Sequence, residues 1–108
     1  MVYYSADLVR IKQLLEIAAA TWDTELGADL AAAYEEINSQ LKPVGIVTPL
    51  TSVPSIIQEA EAYLAASKFR GRRAGPGAQE TAKAFQAEYQ RLMQVFLEGE
   101  REVTSTRG

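Results

Sequence analysis

The chain has 108 residues, of which 47% are hydrophobic and 23% charged, and a formal charge of -3. This is the length and balance of one soluble globular domain, and it excludes a wholly disordered chain, which would carry fewer apolar residues and more net charge. Neither cysteine nor histidine occurs, so disulfide frameworks, thiolate or imidazole metal sites and histidine-based catalysis lose their usual parts.

The first element is expected at about residues 6–18. Ser5 offers an N-cap, Asp7 suits the first turn, and Leu8, Ile11, Leu15 and Ala18 recur at helical steps. A polar interruption around Trp22 follows. Trp22 lies off any long stripe and is read as a cap on the core. The second helix starts with Asp23 or Thr24 as N-cap, buries Leu26, Leu30, Ala33, Ile37 and Leu41, and stops before Pro43 and Gly45.

Residues 43–53 form a connector rich in turn residues but also holding Val44, Ile46, Val47 and Leu50. That is too much apolar surface for a solvated loop. A short extended segment of this kind is marginal in isolation and pairs readily with another chain, so these four residues are candidates for an inter-subunit contact. Pro54 suits the first turn of the third helix, where Ile57, Ala60, Leu64 and Ser67 form the stripe and Ile56 and Tyr63 widen it. The glycine-rich break through Gly77 ends that helix. The last helix is expected over about 78–100, on Ala82, Phe85, Tyr89, Leu92 and Phe96, with a small polar tail after it.

The expected fold is therefore all-α: a small four-helix bundle with a short extended connector between helices two and three. It is one domain over residues 1–102, with a flexible tail at 103–108. No apolar run approaches the ~20 residues of a membrane span. Met1 to Asp7 lacks the pattern of a signal peptide, so the chain is expected to stay where it is made.

Charge is unevenly placed. Lys68, Arg70, Arg72 and Arg73 lie within six residues, and without them seven basic residues face fourteen acidic ones. Arginine forks match phosphate geometry, so the four are candidates for an electrostatic contact with DNA or an acidic protein rather than for a part in folding. Cations also complement a helix C-terminus, and Lys68 and Arg70 fit that simpler role. The glycines nearby lack the lysine-serine ending of a P-loop. The acidic groups, Glu35 with Glu36, Glu59 with Glu61, and Glu98, Glu100 and Glu102, read as solvated faces, because steps of one or two point side chains apart on a helix. No catalytic, metal or cofactor residue is expected, and no cofactor.

The order of these pieces resembles the head–tail connector, or adaptor, family of long-tailed phages and prophages. The residues that carry it are Tyr4-Ser-Ala-Asp-Leu8 before a short helix, and the Asp23–Leu41 helix ending in Ile37-Asn-Ser-Gln-Leu41. Then come the link to Val53-Pro54, the alanine-rich helix Ile56 to Phe69 with Tyr63, the glycine-rich break and the long last helix. Two departures stand out: the family often has a longer polar stretch where Pro43–Val53 stands, and its last helix is often shorter or followed by a longer tail.

The resemblance implies a structural protein without catalytic activity. Its copies form a ring, usually dodecameric, that joins the DNA-filled capsid to the neck or tail and lets DNA pass. The implied partners are the portal protein, neighbouring copies, a neck or tail-completion protein and genomic DNA in the lumen, with no membrane. The implied location is the virion neck, after synthesis in the host cytoplasm. On that reading the basic run meets DNA or the portal, the connector meets a neighbouring copy, and Arg101, Val103 and Arg107 dock on the portal. The competing expectations are a cytoplasmic helical adaptor or regulator that binds one partner protein, and a nucleic-acid-binding module. A net charge of -3 argues against the latter, which normally shows a basic face.

Overall fold

The computed structural model describes residues 3–4, 8–17, 20–46, 48–72 and 77–107, excluding the side chains of Ala20 and of everything from Glu100 onward. Four α-helices appear: α1 (Val9–Leu15), α2 (Asp23–Leu41), α3 (Ser55–Gly71) and α4 (Ala78–Arg107). Short 3-10 turns at Ala20–Trp22 and Lys42–Val44 flank α2, and no strand occurs among the described residues. The all-α four-helix architecture is the one the periodicity predicts.

Helix α1 is shorter than expected. It begins after Leu8, which makes no side-chain cap. Ser5, Asp7 and Ala18 lie outside the described residues. Glu16 ends the helix in the left-handed conformation, φ 59°, with its N–H donating to the Gln13 carbonyl and that of Ile17 to the Lys12 carbonyl. Helix α2 is entered through the 3-10 turn, so neither Asp23 nor Thr24 caps it. Asp23 and Glu25 instead sit in its first turn, where negative charge suits the helix dipole. Its stripe Leu26, Leu30, Ala33, Ile37 and Leu41 is fully buried, as the spacing predicts.

The central element is α3, which packs against α1, α2 and α4. Its burial is wider than one stripe. Ala62, Ala65, Ala66 and Phe69 are buried together with Ile57, Ala60 and Leu64, because alanines let neighbouring helices approach on several sides. Ser67 is only half-buried. Pro54 stands one position before the helix, in extended backbone, and its carbonyl accepts from the N–H of Ile57 and Gln58.

The connector is not a strand among its described residues. After Leu41 it makes a 3-10 turn, reverses at Gly45, whose φ of 83° suits a residue without Cβ, and passes a cis Thr48-Pro49 bond. Ile46, Leu50 and Val53 pack on the core. The unpaired apolar edge expected at 44–50 is therefore absent: Ile46 and Leu50 are held by the subunit's own core, Val44 is 49% exposed, and Val47 lies outside the described residues.

Tyr4 fastens this end of the molecule. Its N–H donates to Glu61 and its hydroxyl to Asn38 Oδ1, and that hydroxyl accepts from the Leu50 N–H at 3.0 Å. Its ring lies 4.7 Å from that of Tyr34, centroid to centroid. Burial holds the Tyr4 phenol above its ordinary value. Glu61 is completely buried, which corrects the expectation of a solvated face. Glu59 takes the Arg10 guanidinium in a bidentate pair, joining α3 to α1. At the opposite end Trp22 meets Phe69 edge to face at 5.7 Å and packs on the core, the capping role expected of it.

Candidate functional site

The described members of the basic run are paired within the chain. The Lys68 ammonium pairs with Glu36 at 3.2 Å, and Arg70 Nη2 donates to the Leu15 carbonyl at 2.9 Å, covering the end of α1. Arg72 grips both oxygens of Asp29, at 2.6 and 2.8 Å, and also reaches Glu25 at 2.8 Å. The Asp29 side chain is only 6% exposed. The hydrogen bonds to Asp29 first, and then to Glu25, hold the Arg72 guanidinium far above its ordinary value. A patch free for phosphate is therefore not formed by these three, and the expectation that they take no part in folding is corrected. Arg73 lies outside the described residues.

Helix α4 runs antiparallel to α3. The Ser67 hydroxyl donates to Gln86 Oε1 at 3.3 Å, Gly71 faces Ala82, and the Tyr63 and Phe85 rings stand 6.0 Å apart. Carrying that register back one residue for one residue sets the start of α3 level with about Glu98. The helix nevertheless continues to Arg107. It therefore projects past the bundle, through the segment expected to fray. Arg101, Val103 and Arg107 fall on this projection, and their side chains lie outside the described residues. At 1.5 Å per residue its 30 residues extend about 45 Å, close to the 50 Å length of the whole molecule.

Where α2 stops and α4 continues, a groove of about 380 Å³ opens. One wall is Gln40, near the end of α2. The other is α4, where Gln86, Gln90 and Gln94 recur at every fourth position. Tyr89, Met93 and Leu97 add aromatic and apolar surface, and Glu98 closes one end.

Tyr89 is the unusual member. It is 1% exposed, and the side chain nearest its hydroxyl as a hydrogen-bond partner is Gln40, out of ideal alignment. Burial pushes the phenol up to about 12, with the Glu36 carboxylate adding to the rise and Gln40 partly offsetting it. The hydroxyl is thus protonated near neutrality and able to donate. From the sequence Tyr89 is legible only as a core residue, and the glutamines, neither charged nor apolar, stand out only by their step of four on one helix.

Among the described residues no group of Asp and Glu could hold a metal, and no helix is long and apolar enough to cross a membrane. Comparison of the chain with family models, with curated proteins and with solved structures finds no match.

Proposed function

We propose that this chain is a structural head–tail adaptor subunit of a tailed virus or prophage. Its copies form a ring beneath the portal that joins the DNA-filled capsid to the neck or tail and lets DNA pass. The reading rests on the order of pieces set out from the sequence. The observation that supports it is the closed four-helix body in that order, with a last helix that runs about two and a half turns past the bundle after a glycine-rich break. A body that closes its own core can pack side by side with copies of itself, and a projecting helix can reach along the ring axis. Arg101, Val103 and Arg107 stand on that helix, where the reading places portal docking. Arg72 is committed to Asp29 and Glu25, so the reading gives it no contact with DNA.

The test is immunogold electron microscopy of tailed particles released by cells that make this chain. Label at the head–tail junction is the expected result, together with twelve-fold rings when the chain is mixed with portal protein. Particles that carry none of the chain, with all of it left in the cytoplasm, would sink the reading and favour the cytoplasmic interaction adaptor.

A further inference from the structure

Two segments far apart in sequence meet at one phenol. The hydroxyl of Tyr4 donates to Asn38 Oδ1 on α2 and accepts from the Leu50 N–H of the connector at 3.0 Å. The same residue gives its own N–H to Glu61 on α3, accepts from the Gln58 carboxamide on its carbonyl at 3.5 Å, and sets its ring against Tyr34. One residue therefore ties the N-terminal arm to the connector, and both to α2 and α3.

The connector depends on this bond more than its apolar content suggests. Its backbone is paired as far as Ile46, whose N–H donates to the Leu41 carbonyl. Over 48–53, among the described residues, the Leu50 N–H makes the one hydrogen bond to the rest of the chain. Leu50 and Val53 are half-buried against the core, while Pro49, Thr51 and Ser52 are exposed. A segment held by few buried contacts and one hydrogen bond opens at a lower free energy than the core beneath it. The dependence is mutual. If the connector lifts, the Tyr4 hydroxyl loses a donor. If Tyr4 leaves, the Leu50 N–H loses its acceptor, and the buried side chains of Asn38 and Glu61 each lose a donor. The helices, in contrast, keep their own backbone hydrogen bonds whether or not Tyr4 is seated.

We propose that Tyr4 is the pin of a conformational latch: the N-terminal arm and the connector over 48–53 leave α2 and α3 together, as one unit, while the helical bundle stays folded. The seated state holds Leu50 and Val53 on the core. The released state uncovers them, together with the polar side chains of Asn38 and Glu61. The latch does not rest on the adaptor reading: it requires only the contacts of Tyr4, whichever assembly the chain serves.

The experiment is amide hydrogen exchange of the full chain, followed by NMR at a series of low urea concentrations. The probes are the N–H groups of Tyr4, Leu50 and, in the middle of α3, Leu64. The expected result is one opening free energy and one urea dependence for Tyr4 and Leu50, with both amides about tenfold or more less protected than Leu64. Leu50→Ala leaves every bond to Tyr4 in place and trims only the packing of the connector. It should nevertheless speed exchange at the Tyr4 amide about tenfold, as much as at position 50 itself, because the coupling is reciprocal. Tyr4→Phe keeps the ring and removes both hydroxyl bonds. It should speed exchange at positions 4 and 50 about tenfold, the loss of about one hydrogen bond, and leave Leu64 unchanged. An unchanged Tyr4 amide in Leu50→Ala would overturn the proposal, as would exchange of all three amides only through unfolding of the whole chain. A Tyr4→Phe chain that does not fold would show the pin to belong to the bundle and overturn the latch. Exchange at Tyr4 that slows with protein concentration would assign the socket to the arm of a second copy and overturn a latch within one chain.

Discussion

Arg72 looked like a free cation in the sequence because it follows the helix end, and its partners lie more than forty positions away. In the fold it satisfies a buried carboxylate. Arg72→Ala leaves Asp29, 4% exposed, without that partner, which costs about 1–3 kcal/mol. The figure falls toward the lower end because the Arg72 side chain is 46% exposed and water partly replaces it. Urea unfolding measures this, and an unchanged midpoint would show the clamp to be idle. Tyr89 makes a second prediction. Burial pushes its phenol up to about 12 from an ordinary 10.0. Between those values the unfolded chain binds fewer protons than the folded one, so stability falls as pH rises through that window. The contribution is complete below pH 10 and gone by about pH 12. Tyr89→Phe should therefore lose about 2–3 kcal/mol less than the parent chain across that range, measured by urea unfolding at pH 9 and pH 12. Equal losses would mean that Tyr89 is not the group that titrates.

Among the elements, α2 and α4 show how far periodicity reaches. The α2 stripe was legible residue by residue, because each of its positions meets α3 or the core and none is left facing solvent. The α4 stripe was legible only in part. Ala82 and Tyr89 are buried, but Phe85, Leu92 and Phe96 are half-buried, and Met93 takes a core place instead. With α3 on one side and the end of α2 on another, α4 buries a wider arc than an a/d seam. The contrast is testable. Leu30→Ala, at a site with no exposure, should cost about 2–5 kcal/mol. Phe85→Ala, at a half-buried site, should cost clearly less than the 3–5 kcal/mol of a fully buried phenylalanine. Equal costs in denaturant titrations would show that the C-terminal half of α3 and α4 is packed more tightly than their contacts indicate.

For the whole molecule, α4 joins a closed body to a projection. The register with α3 sets the backbone after Gly99 beyond the bundle, so a chain ending at Gly99 should keep its melting temperature within a few degrees. In the adaptor reading the same truncation should abolish ring formation on the portal, read by electron microscopy. A large drop in melting temperature would mean that the projection folds back onto the body.

What the sequence determined by itself was the fold class, the four helices and most of the α2 and α3 cores, because helical burial repeats locally at 3.6 residues and proline and glycine mark its ends. What only the tertiary structure decided was the set of pairings between distant positions. Glu61 and Asn38 are polar and sit under Tyr4, 57 and 34 positions away, so no local pattern marks them as buried. Ile46 and Leu50 looked like an open edge because the residues that cover them are remote in the chain. The groove has the same origin. Its walls come from the end of one helix and the middle of another, and it exists only because α4 continues where α2 stops.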